Sequence, residues 1–227
     1  MSNLTDRLWT EDLDGRLDAL RTLCASEPLR PRKGTNLHIH TNESFSVFRS
    51  PTEAVWQAVC EGVAVLGIND HYTVAGHDEF RRACRIARIP ATFSMEAVAM
   101  DRDAESKGLL MNDPGNPGRT YFCAKGVTRI PPGSSPAMRS LAAMRAALER
   151  RNREMTDKVR ELFQTRMDTE GPTWADVVGL TPRGNATERH ICLAYARKAA
   201  AVFGEGDTLG RFWADKLGVD AANLDLP

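Results

Sequence analysis

Three short apolar runs, Thr35 to Ile39, Val63 to Ile68 and Ala91 to Met95, each end in polar residues and give way to a helical pattern. No other feature restricts the fold as much, because parallel strands need long crossovers and this alternation is how successive βα units read. The first helix opens at Ser50-Pro51-Thr52-Glu53, with Ser50 as cap, Pro51 in the first turn and Glu53 reaching back, and Gly62 closes it. The second run is almost wholly apolar, so we expect it to be covered on both faces. It leads to a helix carrying Phe80, Ala83, Cys84 and Ala87, which Pro90 stops.

Ahead of these units, Leu4, Leu8, Leu13, Leu17, Leu20 and Leu23 fall at helical spacing and end at a turn with Pro28 and Pro31. Residues 1–33 therefore read as a helical extension and 34–227 as the main domain. Asp101 to Gly133 is rich in turn residues and holds a fourth strand near Tyr121 to Ala124. Ser135 to Met167 places Met138, Leu141, Met144, Leu148, Met155, Val159 and Leu162 on one helical stripe, the core of an insertion spanning roughly 135–180. A short helix at Trp174 to Val178 follows. The last clear helix starts after Thr187 and buries Ile191, Tyr195, Ala199, Val202 and Phe203.

Composition excludes several classes. Thirty Lys and Arg balance thirty Asp and Glu, so no global field favours nucleic acid or an anionic membrane. The long apolar stretches fall far short of the roughly 20 residues that span a bilayer. The acidic start does not read as a signal peptide. Five scattered cysteines, an odd number without a C-x-x-C pair, suggest reduced and mostly buried thiols in a cytoplasm rather than a disulfide framework or a thiolate zinc knot.

Chemistry concentrates where the strands end. The first closes on His38-Ile39-His40, whose alternation sends both imidazoles to one side, the second on Asp70-His71, and the third on Glu96. One H-x-H is weak evidence, since a single buried histidine usually serves packing. Five imidazole or carboxylate groups at three consecutive strand ends point to a shared cation. Zn, Mn or Fe suits such ligands, as one ion or as a pair. His77 reads as a solvent-facing residue at a helix start.

These motifs resemble the PHP family, the polymerase and histidinol phosphatase domains. Leu37-His38-Ile39-His40-Thr41 is similar to its first motif, Gly67 to Gly76 with Asn69-Asp70-His71 to its second, usually T-D-H, and Ser94-Met95-Glu96 to its third. Glu188-Arg189-His190-Ile191 resembles the stretch from which a further histidine enters the site. The resemblance covers roughly residues 35 to 200. It implies an α/β fold, a distorted βα barrel of seven strands, and metal-dependent phosphoester hydrolysis. It also implies His38, His40, His71, Glu96 and His190 as metal ligands, with Asp70, His71 and Glu96 as catalytic groups.

Departures from the family pattern are specific. The usual aspartate after H-x-H is absent, since Phe45 follows Ser44, and the histidine expected after the glutamate is replaced near Tyr121 or Phe122. No histidine follows His190, so the terminal Asp-x-His pair is missing and we expect a barrel that stops short. Arg119, Lys125, Arg183 and Arg189 are the candidate contacts for a small phosphorylated substrate. Two other readings compete: an amidohydrolase-type hydrolase, which also opens on H-x-H, and a degenerate metal-binding scaffold.

Overall fold

The computed structural model describes residues 3–26, 31–181, 184–204 and 206–218. The chain divides after Arg145 into two units, with Asn185 returning to the first.

The first unit opens with a 3-10 turn, Leu4–Trp9, and α1, Leu13–Ser26. Next come β1 (Lys33–Ile39), α2 (Pro51–Glu61), β2 (Val63–His71), α3 (His77–Ala87), β3 (Ala91–Met100), α4 (Arg102–Ser106) and β4 (Arg119–Lys125). The sheet runs in the order β1-β2-β3-β4, with β1, β2 and β3 parallel and β4 antiparallel to β3. This is a mixed α/β unit, and four strands are formed among the described residues.

The capping chemistry acts as the sequence suggests. Ser50 Oγ accepts from Glu53 N, Pro51 stands in the first turn, and Gly62 ends α2 at φ 70°, where a side chain would be strained. The turn at Pro28 lies outside the described residues.

One face of the sheet carries Ile39, Leu66, Ile68 and Phe93 into a core with Leu17, Leu20, Val55, Val59, Phe80 and Ala83 from α1, α2 and α3. A buried ion pair crosses this core. Arg16 on α1 donates from Nε to Glu79 at 2.9 Å and from Nη2 at 2.5 Å, and Thr52 donates to Glu79 from N at 3.2 Å and Oγ1 at 2.7 Å.

The other face is concave and carries the polar residues. Lys125 Nζ on β4 lies 3.0 Å from Leu37 O on β1. Those strands are three positions apart in the sheet, about 14 Å if it were flat and far beyond the reach of one side chain. The sheet is therefore curled into a half-barrel.

The register of β1 contains the main irregularity. Asn36 pairs with Leu66 but Ile39 pairs with Ile68, so three steps on β1 match two on β2. An unbroken register would put His38 opposite Ile68, facing the helices. The extra residue puts Ile39 there instead and turns His38 and His40 to the concave face. Gly67 makes room for this bulge, since a Cβ there would sit 2.7 Å from Leu37 Cα and 2.4 Å from Thr92 Oγ1.

Three expectations need correction. β3 continues to Met100, because β4 pairs with it as far as Met100 opposite Arg119, so Glu96 lies inside a strand rather than at its end. Val202 is exposed rather than buried. Finally, α7 (Glu188–Phe203) is followed by a further helix, α8 (Asp207–Leu217), which the sequence reading lacks.

The second unit holds most of α5 (Pro136–Met167), then α6 (Trp174–Gly179), α7 and α8. Phe163, Ala199 and Phe212 form one core with Tyr195, Phe203 and Trp213 around them, and Val177, Ile191 and Ala194 form another.

Replacing Gly67 by alanine drives a methyl into the β1 bulge. Gly67→Ala is expected to lower stability by about 1–3 kcal/mol, read from the denaturant midpoint of the two proteins.

Candidate metal centre

The bulge in β1, the end of β2, the middle of β3 and the facing residue of β4 bring their side chains together on the concave face. His38 Nε2 lies 3.2 Å from His40 Nε2 and 2.8 Å from Glu96 Oε2, and His40 Nε2 lies 3.7 Å from the same oxygen. The His40 and His71 rings stack at 4.4 Å between centroids, 19° from parallel. Among the described residues, two groups have donor atoms close enough to hold an ion, His40 with His71 and Glu96, and His38 with Glu96 and Cys123. Glu96 belongs to both.

The spacing fits a cation, since the donor atoms of each group lie within 4.8 Å of one another, about the span of ligands that share one ion through bonds of 2.0–2.2 Å. Imidazole and carboxylate together are the donor set of Zn, Mn or Fe sites. The described residues therefore fit a divalent ion.

Asn69 organises the cluster from within. Two residues before His71 on β2, it shares that residue's face, and its side chain is fully buried. Its Nδ2 donates to Glu96 Oε2 at 2.8 Å and lies 3.0 Å from His38 Nε2 and 3.2 Å from Cys123 Sγ. The alternation that placed His71 would have found Asn69. Cys123 needed the register of β3 against β4, which sets it opposite Glu96. It fills the place near Tyr121 and Phe122 where the sequence reading expected a replacement.

Asp70 stands apart from the expected cluster. Being next to His71 in the strand, it faces the other way, and its carboxylate accepts from Thr41 N at 2.6 Å, Thr41 Oγ1 at 2.7 Å and Ser44 Oγ at 2.6 Å. It fixes the backbone immediately after His40. Asn185 supports the same region, donating from Nδ2 to His71 O at 2.9 Å and from its backbone to Glu43 O at 3.2 Å.

The candidate phosphate contacts separate. Lys125 spans the concave face to Leu37 O and lies 3.4 Å from Ser94 Oγ. Arg119 is four residues along the hairpin from the level of Glu96 and pairs with Asp113 at 3.2 Å. Arg189 is exposed in the second unit, and Arg183 lies outside the described residues. His190 is the third residue of α7, and its Nδ1 accepts from Thr187 N at 3.0 Å. The neutral ring then carries its hydrogen on Nε2, and burial lowers its pKa.

Two further expectations change. His77 is fully buried, not solvent-facing, with Nε2 3.1 Å from Ser94 O and its ring beside Phe93. Of the cysteines, all free, only Cys84 is buried, and Cys192 is exposed.

No known family's model matches the chain, and no curated protein does. Solved structures do. The chain is similar to a proposed metal-dependent phosphoesterase of Bifidobacterium adolescentis, at 26% identity and a TM-score of 0.57, over 88% of this chain and 58% of that one. It also shares its fold with an amidohydrolase of Chromobacterium violaceum whose structure has bound sulfate and no metal, at 17% identity and a TM-score of 0.51, over 78% of this chain and 53% of that one. The chain thus spans little more than half the length of either. Both relatives are hydrolases by description.

Asp70→Asn removes one acceptor and sets an amide against a donor. Stability is expected to fall by about 1–3 kcal/mol, and Zn affinity, measured against a competing chelator, by about 10- to 100-fold as the residue after His40 loosens. Burial lowers the pKa of His77, with the hydrogen bond to Ser94 opposing the shift. The unfolded chain therefore binds the proton more readily, so His77 contributes fully above the ordinary histidine value of about 6.5 and stability is lost as pH falls below it. Denaturant midpoints measured across this range should decline toward acid, with a shallower slope in His77→Gln.

Proposed function

We propose that the chain is a metal-dependent phosphoesterase acting on a small phosphorylated metabolite or nucleotide, with one or two Zn, Mn or Fe ions. The observation that carries this is the convergence of His38, His40, His71 and Glu96 from three strands on one concave face. Likeness to a proposed phosphoesterase supports it.

His40, His71 and Glu96 would hold an ion, with His38 beside them. A divalent ion bound there supplies Lewis acidity, lowering the pKa of a coordinated water toward neutrality and neutralising charge on a phosphoryl oxygen. The chain's own groups prepare that chemistry. Asn69 holds Glu96 Oε2 in place through its amide, and Asp70 fixes Thr41 so that His40 keeps its orientation. Glu96 and the imidazoles of His38, His40 and His71 are already gathered where their lone pairs would be needed. Such preorganised polar groups are where most of an enzyme's electrostatic advantage originates.

His190 and Arg189 belong to the second unit. The resemblance gives His190 as a ligand, but with Nδ1 accepting from Thr187, the neutral ring carries its hydrogen on Nε2. A role as ligand through Nε2 requires the opposite tautomer. The five free cysteines support a reducing, cytoplasmic setting.

The test is metal analysis of protein purified without chelator, joined to phosphatase and phosphodiesterase assays on wild type and His40→Ala. Bound divalent metal is expected, with hydrolysis abolished by chelation and reduced at least about 100-fold in the variant, in line with the loss of a Lewis-acid or electrostatic contribution. Metal-free protein, or activity untouched by the substitution, rejects the reading. Hydrolysis of amides or lactams in place of phosphoesters transfers the chain to the amidohydrolase alternative.

A further inference from the structure

We infer that Cys123 is a metal ligand, and that its thiolate, with His38 and Glu96, makes a second cation position selective for thiophilic ions. The inference rests on the reading of the centre as metal-binding and says which chemistry the second position prefers.

Three observations carry it. β3 and β4 pair so that Glu96 and Cys123 are directly opposite, and residues opposite each other in an antiparallel pair project from the same face. The donor atoms of His38, Glu96 and Cys123 are mutually close enough for one ion. The third is the fully buried Asn69 amide. Its Nδ2 lies 3.0, 2.8 and 3.2 Å from His38 Nε2, Glu96 Oε2 and Cys123 Sγ, so it marks the point where the three donors meet. Its oxygen is buried without a hydrogen-bond partner. An unsatisfied buried polar atom calls for an explanation, and an ion among these groups supplies one.

A sulfur donor changes the preference of the position. Imidazole and carboxylate accept Mn as readily as Zn, whereas thiolate favours Zn, Fe or Co over Mn or Mg. Coordination converts the thiol to a thiolate and releases its proton to solvent. No other bond is made or broken. Glu96, present in both groups, bridges the two positions. Cys84, buried, has its thiol pushed up to about 12 and stays protonated, so it does not compete for the ion.

The experiment titrates the metal-stripped full chain with Co(II), recording the near-ultraviolet sulfur-to-cobalt band, and maps alkylation of each cysteine by mass spectrometry with and without Zn. Cys192, exposed, and Cys84, buried, are the reactive and inert controls. Wild type is expected to bind two equivalents, the band rising with one of them, and Zn is expected to slow alkylation of Cys123 alone.

Cys123→Ser should lose the band and one equivalent. Its Zn affinity at that position should fall by more than the about tenfold typical of losing a supporting partner, with Mn affinity little changed. Cys123→His should regain the second equivalent without the band. Cobalt bound with no sulfur band and Cys123 equally reactive in Zn overturns the inference and leaves the metal-centre reading intact. No cobalt bound at all overturns both. Should Cys123→Ser fail to fold, the wild-type band and alkylation map decide alone.

Discussion

A single extra residue in β1 decides which face of the sheet carries chemistry. With the register kept from Asn36, His38 would take the position of Ile39 and enter the apolar layer against α2 and α3. The bulge reverses that, sending Ile39 inward and both imidazoles to the concave side. Strand alternation is strict, so one inserted residue moves a whole set of side chains between faces. Gly67 permits it, because the bulged backbone occupies the space a Cβ would need. The candidate metal centre is thus a property of backbone register first and of histidine content second.

The division of labour in β2 follows from the same alternation. Asn69 and His71 point to the concave face and Asp70 to the other, so three consecutive residues serve two purposes. Asn69 and His71 enter the cluster of donors. Asp70, fully buried, holds the segment after β1 through Thr41 and Ser44. A motif that reads in the sequence as one catalytic phrase is in space a candidate ligand, its neighbour and a clamp.

The readable and unreadable parts of the chain separate on physical grounds. Helix ends were legible because caps are local: Ser50 and Pro51 act within the first turn of α2 and Gly62 at its last. The parallel order of β1, β2 and β3 followed from the rhythm of apolar runs. Glu96 was found, but its position inside β3 was not, since the extra length of that strand comes from pairing with β4, a partner more than twenty residues away. Cys123 was hidden for the same reason. His77 misled because a polar residue at a helix start ordinarily faces water, and only the packing of α3 on Phe93 and Ser94 buries it. α8 was missed, although Phe212 and Trp213 join it to the core that Phe163 and Tyr195 form.

Arg16 gives the leading helix more weight than its place at the edge of the sequence suggests. Its guanidinium and the Glu79 carboxylate are both withdrawn from water, and each has the other as counter-charge. A polypeptide begun at residue 34 would strand that carboxylate in an apolar interior, a loss of about 3–5 kcal/mol. The leading helix is therefore part of what keeps the half-barrel folded, and a chain begun at residue 34 would lose that support with every candidate donor of the cluster still present.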